Sequence, residues 1–137
     1  MKPPADALTA LVARYAEIVD TRAFDTFDEV FTDDAELETP NGRRSGRAEI
    51  RTAMTGLYRY DRTDHRVGAV AFAAADDGEA TGTVECEAHH WSTDADGRRT
   101  DRVMTITYHD RYGPTSAGWR IVHRRLEVHR VEELDAE

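Results

Sequence analysis

From Glu79 to Trp91 the chain alternates without a break. Thr81, Thr83, Glu85, Glu87 and His89 fall on one face, and Gly82, Val84, Cys86, Ala88 and His90 on the other. A period of two is the pattern of a strand with one side buried and the other in water. The inner side is small and ends in a histidine. Small inward side chains leave room beside a strand. An imidazole at the rim of such room exchanges a proton near neutral pH. For His90 alone, a hydrogen-bonded core histidine is the plainer alternative.

The flanking segments supply the rest of a domain. Asp6 stands where a helix cap would, and Leu8, Leu11, Val12, Tyr15, Ile18 and Val19 recur at helical spacing up to Asp20. An acid at that end of a helix opposes the helix dipole, which singles Asp20 out from an ordinary solvated charge. Asp25 to Phe31 reads as a second short helix, and Ala35 to Thr39 as a short strand before the Pro40-Asn41-Gly42 turn. A third helix opens at Ser45, and a polar connection runs from Tyr58 to Thr63. Asp64 to Ala74 reads as a strand with His65, Val67, Ala69 and Ala71 on one face. Asp76-Asp77-Gly78 then turns the chain into the alternating strand. Arg98 to Tyr112 is the next strand, with Met104, Ile106 and Tyr108 together; a loop spans Gly113 to Gly118; Trp119 to Val131 is the last strand. The order predicts an α+β domain: three N-terminal helices packed on a strongly curved, mostly antiparallel sheet that forms a cone-shaped α+β barrel with an open mouth. The 137 residues make one domain, with a core over residues 5–131 and a frayed acidic tail over 132–137.

Composition narrows the function. A net charge of -9 disfavours nucleic acid and anionic membrane as partners and suits a small neutral molecule. The single cysteine, Cys86, excludes an internal disulfide and is compatible with the cytoplasm. Met1 to Asp6 lacks the apolar core of a signal peptide, and no run reaches the roughly 20 apolar residues of a membrane span. His89 and His90 are adjacent on a strand, point to opposite faces and do not readily share one ion. The two Asp-Gly turns lack the later glutamate of a calcium loop. A metal held by Asp20, His65 and His90 is conceivable, but the residues predict neither metal nor cofactor. There is no phosphate loop and no serine elbow.

Phe31-Thr32-Asp33-Asp34-Ala35, Gly46-Arg47-Ala48-Glu49-Ile50, Thr63-Asp64-His65, Ala88-His89-His90, Tyr108-His109-Asp110-Arg111-Tyr112 and Gly118-Trp119-Arg120-Ile121, in that order, resemble the SnoaL-like branch of the nuclear-transport-factor-2-like superfamily. The resemblance covers nearly the whole chain and implies a cone-shaped fold with a deep apolar pocket. It also implies a homo-oligomer, dimer or trimer, built on the outer face of the sheet. Its members include dehydratases, isomerases, cyclases and proteins without catalysis, so fold alone does not assign activity. The site most resembles scytalone dehydratase-type enzymes, whose aspartate and two histidines match Asp20, His65 and His90. The pocket tyrosine of those enzymes has no counterpart in Glu36-Leu37-Glu38-Thr39, which implies a different substrate.

Removing water β to a carbonyl needs a base for the α-proton and an acid for the leaving hydroxyl. His90 is the expected base and His65 the partner acid. Asp20 is expected to hold a ring N–H and support the imidazolium, and Tyr15 to hydrogen-bond the substrate carbonyl. The expected function is a cofactor-free dehydratase acting on a polyketide-, steroid- or terpenoid-like carbonyl compound. The alternatives are an isomerase or cyclase with the same residues, or a silent binding or assembly domain.

Overall fold

The computed structural model describes residues 2–136; Met1 and Glu137, the first and last residues of the expected domain, lie outside them. Helix α1 (Ala5–Thr21) starts directly after Pro4, so Asp6 lies in its first turn and does not cap it. Leu8, Leu11, Val12, Tyr15, Ile18 and Val19 are buried along one stripe, as their spacing requires. The helix stops at Arg22, whose left-handed φ of 63° turns its N–H onto the Ile18 and Val19 carbonyls.

The expected second helix is a tight 3₁₀ segment, Phe24–Glu29. Phe31 does not belong to it but begins strand β1 (Phe31–Thr39). A hairpin partner, β2 (Gly42–Ser45), was not expected; four residues are too few to show a period. Helix α2 (Arg47–Met54) begins at Gly46 instead of a Ser45 cap. Glu49 completes half of a capping box by accepting the Ser45 backbone N–H at 3.2 Å. A second 3₁₀ turn, Thr55–Arg59, takes up part of the expected polar connection.

Strands β3 (Arg62–Ala74), β4 (Ala80–Thr93), β5 (Arg99–Thr115) and β6 (Gly118–Ala136) complete one sheet in the order β2-β1-β6-β5-β4-β3. All neighbours are antiparallel except β1 and β6, which run parallel. The sheet is mixed and does not close; β2 and β3 are its edges. The helices and the inner sides of the long strands enclose a single apolar core. No helix among the described residues is long and apolar enough to cross a membrane.

Two expected loops are strand. β5 runs through Gly113 to Thr115, and only Ser116 and Ala117 separate it from β6. The acidic tail is not frayed: residues 132–136 extend β6 and pair with Arg99–Val103. Arg98 holds Asp135 at 2.6 Å and Arg102 holds Glu133 at 3.1 Å, so cross-strand charge pairs accommodate the acids. β3 also departs from strict alternation. Val67 keeps the side of His65, opposite Cys86, but a bulge between Val67 and Val70 breaks the register, and Ala69 and Ala71 beyond it turn to solvent.

β4 has the expected sides: Ala80, Gly82, Val84, Cys86, Ala88 and His90 are buried, and Thr83, Glu85 and Glu87 are exposed. The space at Gly82 is not vacant, however. A Cβ there would lie 2.8 Å from Phe72 and 2.9 Å from the Tyr112 ring, so the glycine admits two aromatic rings from the flanking strands. Gly82→Val is expected to destabilise the fold by about 1–3 kcal/mol through overpacking, read as a lower denaturant midpoint with an unchanged slope.

The last strand holds a further departure. His123 and His129 are partly exposed and pair with Glu38 at 2.8 Å and Thr107 at 2.8 Å, but Arg124 is not solvent-facing. Arg124 is 0% exposed and donates to both oxygens of Asp110, at 2.8 and 2.6 Å. Tyr112 donates to the same carboxylate at 2.6 Å, and the guanidinium lies 3.9 Å from the Tyr108 ring centroid and 4.4 Å from that of Tyr15. Burial works against the cation, but Asp110 more than offsets it and raises its pKa above that of an ordinary arginine.

Candidate active site

Thr63 on β3 stands opposite His90 on β4, and His65 stands opposite Ala88. His65 and His90 are therefore diagonal neighbours on one face of the hairpin, with ring centroids 5.7 Å apart and planes at 78°. The end of α1 packs onto this part of β3. Asp20, 45 residues from His65 in sequence, accepts its Nδ1–H at 2.7 Å and its backbone N–H at 2.7 Å. Thr63 donates to the same carboxylate at 2.9 Å. Burial tends to raise the Asp20 pKa, but the His65 ring, the His65 amide and Thr63 together hold it below the ordinary carboxylate value. Asp20 therefore stays ionised and fixes the orientation of the His65 ring through its Nδ1–H.

His90 is held differently. Its Nδ1 lies 2.9 Å from the Arg102 carbonyl, which can only accept, so Nδ1 carries the proton and the neutral ring bears its lone pair on Nε2. Burial pushes the His90 pKa below the ordinary imidazole value of 6.5; nearby His65 and Arg102 act in the same direction, while the bond to the Arg102 carbonyl opposes them. Of the two imidazoles, one has an ionised carboxylate behind it and the other is kept neutral by its surroundings.

Both histidines and Tyr15 line one cavity of about 610 Å³. Its walls are mainly apolar: Val19, Leu37, Met104, Ile106, Leu126 and Val128 contribute. The volume falls within the usual range for a small-molecule site. Asp20 stands behind His65 and is not part of the wall. Burial raises the Tyr15 phenol to about 12 against the pull of Arg124, so at neutral pH it remains a hydrogen-bond donor. Tyr108, on β5, lines the same cavity and is pushed well above the ordinary phenol value, first by burial. A broader groove of about 820 Å³ crosses the sheet near Gly82 and His123 and contains neither His65 nor His90.

Three contributors were not found from the sequence. Tyr60 stacks a tilted ring 5.0 Å from His90, and its carbonyl is tied to α1 through Arg22 at 3.2 Å. Asp101 accepts the His90 backbone N–H at 3.1 Å on one oxygen and lies 2.6 Å from His89 Nδ1 on the other. Thr63 completes the Asp20 shell. None of these has a sequence signal of its own; each depends on a partner brought in by the sheet register or by the helix end. His89 is on the outer side, as alternation requires: burial tends to lower its pKa, but Asp101 and Glu87 raise it. Among the described residues, no three His, Cys, Asp or Glu side chains are arranged to hold a metal.

Comparison with known proteins agrees with this architecture. A search of curated protein sequences finds no match. The Kfla4162 protein from Kribbella flavida superposes with a TM-score of 0.83 at 21% identity, covering 93% of this chain and 92% of that one. A candidate scytalone dehydratase from Novosphingobium aromaticivorans gives 0.84 at 18% identity, covering 97% and 89%. A type 2 hexachlorocyclohexane dehydrochlorinase gives 0.83 at 14% identity, covering 97% and 90%. At these identities the likeness is one of fold. The family model of the SnoaL-like domain matches residues 5–125, which include Asp20, His65, His90 and Tyr15, and the chain belongs to the SnoaL-like domain family.

Proposed function

We propose that this protein is a cofactor-independent acid–base enzyme that removes water from a small apolar β-hydroxycarbonyl compound. The observation that carries this reading is the pair of imidazoles in unlike environments, His65 backed by ionised Asp20 and His90 neutral, opening on one apolar cavity. In the proposed step, Nε2 of His90 takes the proton from the carbon next to the carbonyl. The C–H pair becomes the new C=C bond, the β C–O bond breaks, and protonated His65 gives its Nε2 proton to the leaving hydroxyl, which departs as water. The proton gained by His90 returns to His65 between turnovers. Tyr15 donates a hydrogen bond to the carbonyl oxygen as charge builds there, and Tyr108 is the second phenol within the same walls. The dehydrochlorinase and dehydratase names among the structural neighbours are compatible with elimination. The unlike settings of the two imidazoles, more than the cavity itself, favour this reading over a silent binding domain.

The pH–rate profile tests the division of labour. The base is active only when neutral, so activity rises with pH through the lowered His90 pKa, and the acid limb lies below 6.5. Asp20→Asn removes the carboxylate that holds the His65 ring and is expected to lower the rate while leaving the acid limb, set by His90, in place. The measurement is kcat/KM against pH for a two-ring β-hydroxyketone, followed by the absorbance of the conjugated product. An acid limb that moves in Asp20→Asn would reverse the two roles.

A further inference from the structure

The chain carries 27 Asp and Glu against 18 Lys and Arg. The cavity has the opposite balance. Arg44, Arg59 and Arg102 are among its lining residues, and no Asp or Glu is. Arg44 lies on β2 opposite Leu37, half-buried, and its Nη1 donates only to the Arg43 carbonyl, at 3.2 Å. Arg59 closes the second 3₁₀ turn, with its guanidinium 5.0 Å from the Tyr60 ring centroid and Nη2 donating to the Tyr60 hydroxyl at 3.1 Å. Neither is in an ion pair with a carboxylate among the described residues. Arg102, opposite His90, spends its charge on Glu133 at 3.1 Å.

We infer that the molecule taken into this cavity carries an oxyanion, a carboxylate or a phosphate, and that Arg44 and Arg59 select for it at the mouth. The inference rests on the proposed function and adds the substrate class. Two guanidinium groups without counter-charges among the described residues of a strongly acidic protein gain most from an anion, because a charge-assisted hydrogen bond is stronger than a neutral one. The geometry also sets an orientation. Arg59 and the His90 ring each lie 5.0 Å from the Tyr60 ring centroid, so an anion held at Arg59 keeps the rest of the ligand near the His90 end of the cavity.

The test compares three probes of one shape, 1-naphthoate, 1-naphthyl phosphate and neutral 1-naphthamide, by equilibrium titration of the intact protein. At least one anion is expected to bind about 10- to 100-fold tighter than the amide, in line with a charge-assisted hydrogen bond, and to weaken with added salt. Which anion leads separates a carboxylate from a phosphate ligand. In Arg44→Gln/Arg59→Gln the preference is expected to vanish while amide binding and the circular dichroism spectrum stay as in the wild type. Equal binding of all three probes, a preference that survives the double substitution, or binding of none overturns the inference. If His90 is needed for turnover of a neutral β-hydroxyketone and no anion preference is found, this inference alone fails. If the anion preference holds and turnover does not depend on His90, the acid–base reading alone fails.

Discussion

His90→Ala is expected to cut turnover of a β-hydroxyketone by about 100- to 10,000-fold with the fold intact, the usual contribution of a placed acid or base. His65→Ala is expected to fall in the same range. The double variant is expected to lose little more than either alone, because the two imidazoles serve one elimination and act as a unit. The fold has no reason to collapse. His90 donates a ring hydrogen bond only to the Arg102 carbonyl, on a strand already paired along its length, and Asp20 retains Thr63 and the residue-65 backbone N–H when the His65 ring is removed. Single-turnover rates on the variants, with far-ultraviolet circular dichroism as the control, check this. A folded His90→Ala protein with wild-type turnover would falsify the assignment.

The largest loss of stability is expected from Asp110→Ala. The Arg124 and Asp110 side chains are both fully buried, and among the described residues the guanidinium forms an ion pair with no other carboxylate. Removing Asp110 leaves an uncompensated cation between the Tyr15 and Tyr108 rings, at a cost of about 3–5 kcal/mol. Arg124 Nη1 already lacks a hydrogen-bond partner, so the site has no spare acceptor to take over. The melting midpoint should fall by on the order of 10 °C. Asp110→Leu/Arg124→Met, which removes both charges and keeps the volume, is expected to recover most of that loss. The comparison of single and double variants by thermal melting separates the cost of a stranded charge from the cost of lost packing. Because Tyr15 and Tyr108 line the cavity, the same variants should disturb the site as well as the core.

The sequence was informative wherever a period was long enough to read. The α1 stripe, the two sides of β4 and the opposite directions of His89 and His90 all follow from spacing, and the structure has them so. Short or irregular pieces were not legible. β2 has four residues, the bulge at Val67–Val70 displaces side chains that strict alternation would bury, and an acidic C-terminal run gives no local sign that arginines on a neighbouring strand will pair with it. Arg124 was the hardest: beside Arg125 on a polar strand it looks like a surface charge, and only the Asp110 carboxylate makes its burial tolerable.

At the site the division is sharper. Local sequence alone determined which residues have chemistry to offer and which side of a strand or helix each occupies, because periodicity is a property of a few adjacent residues. The tertiary structure alone decided that the Asp20 carboxylate meets the ring of His65 and that a backbone carbonyl holds His90. It also decided that three arginines line the same cavity as those histidines. Those outcomes depend on strand register and on where a helix end comes to rest. Both are set by packing between segments far apart in the chain, and no window of the sequence contains both partners.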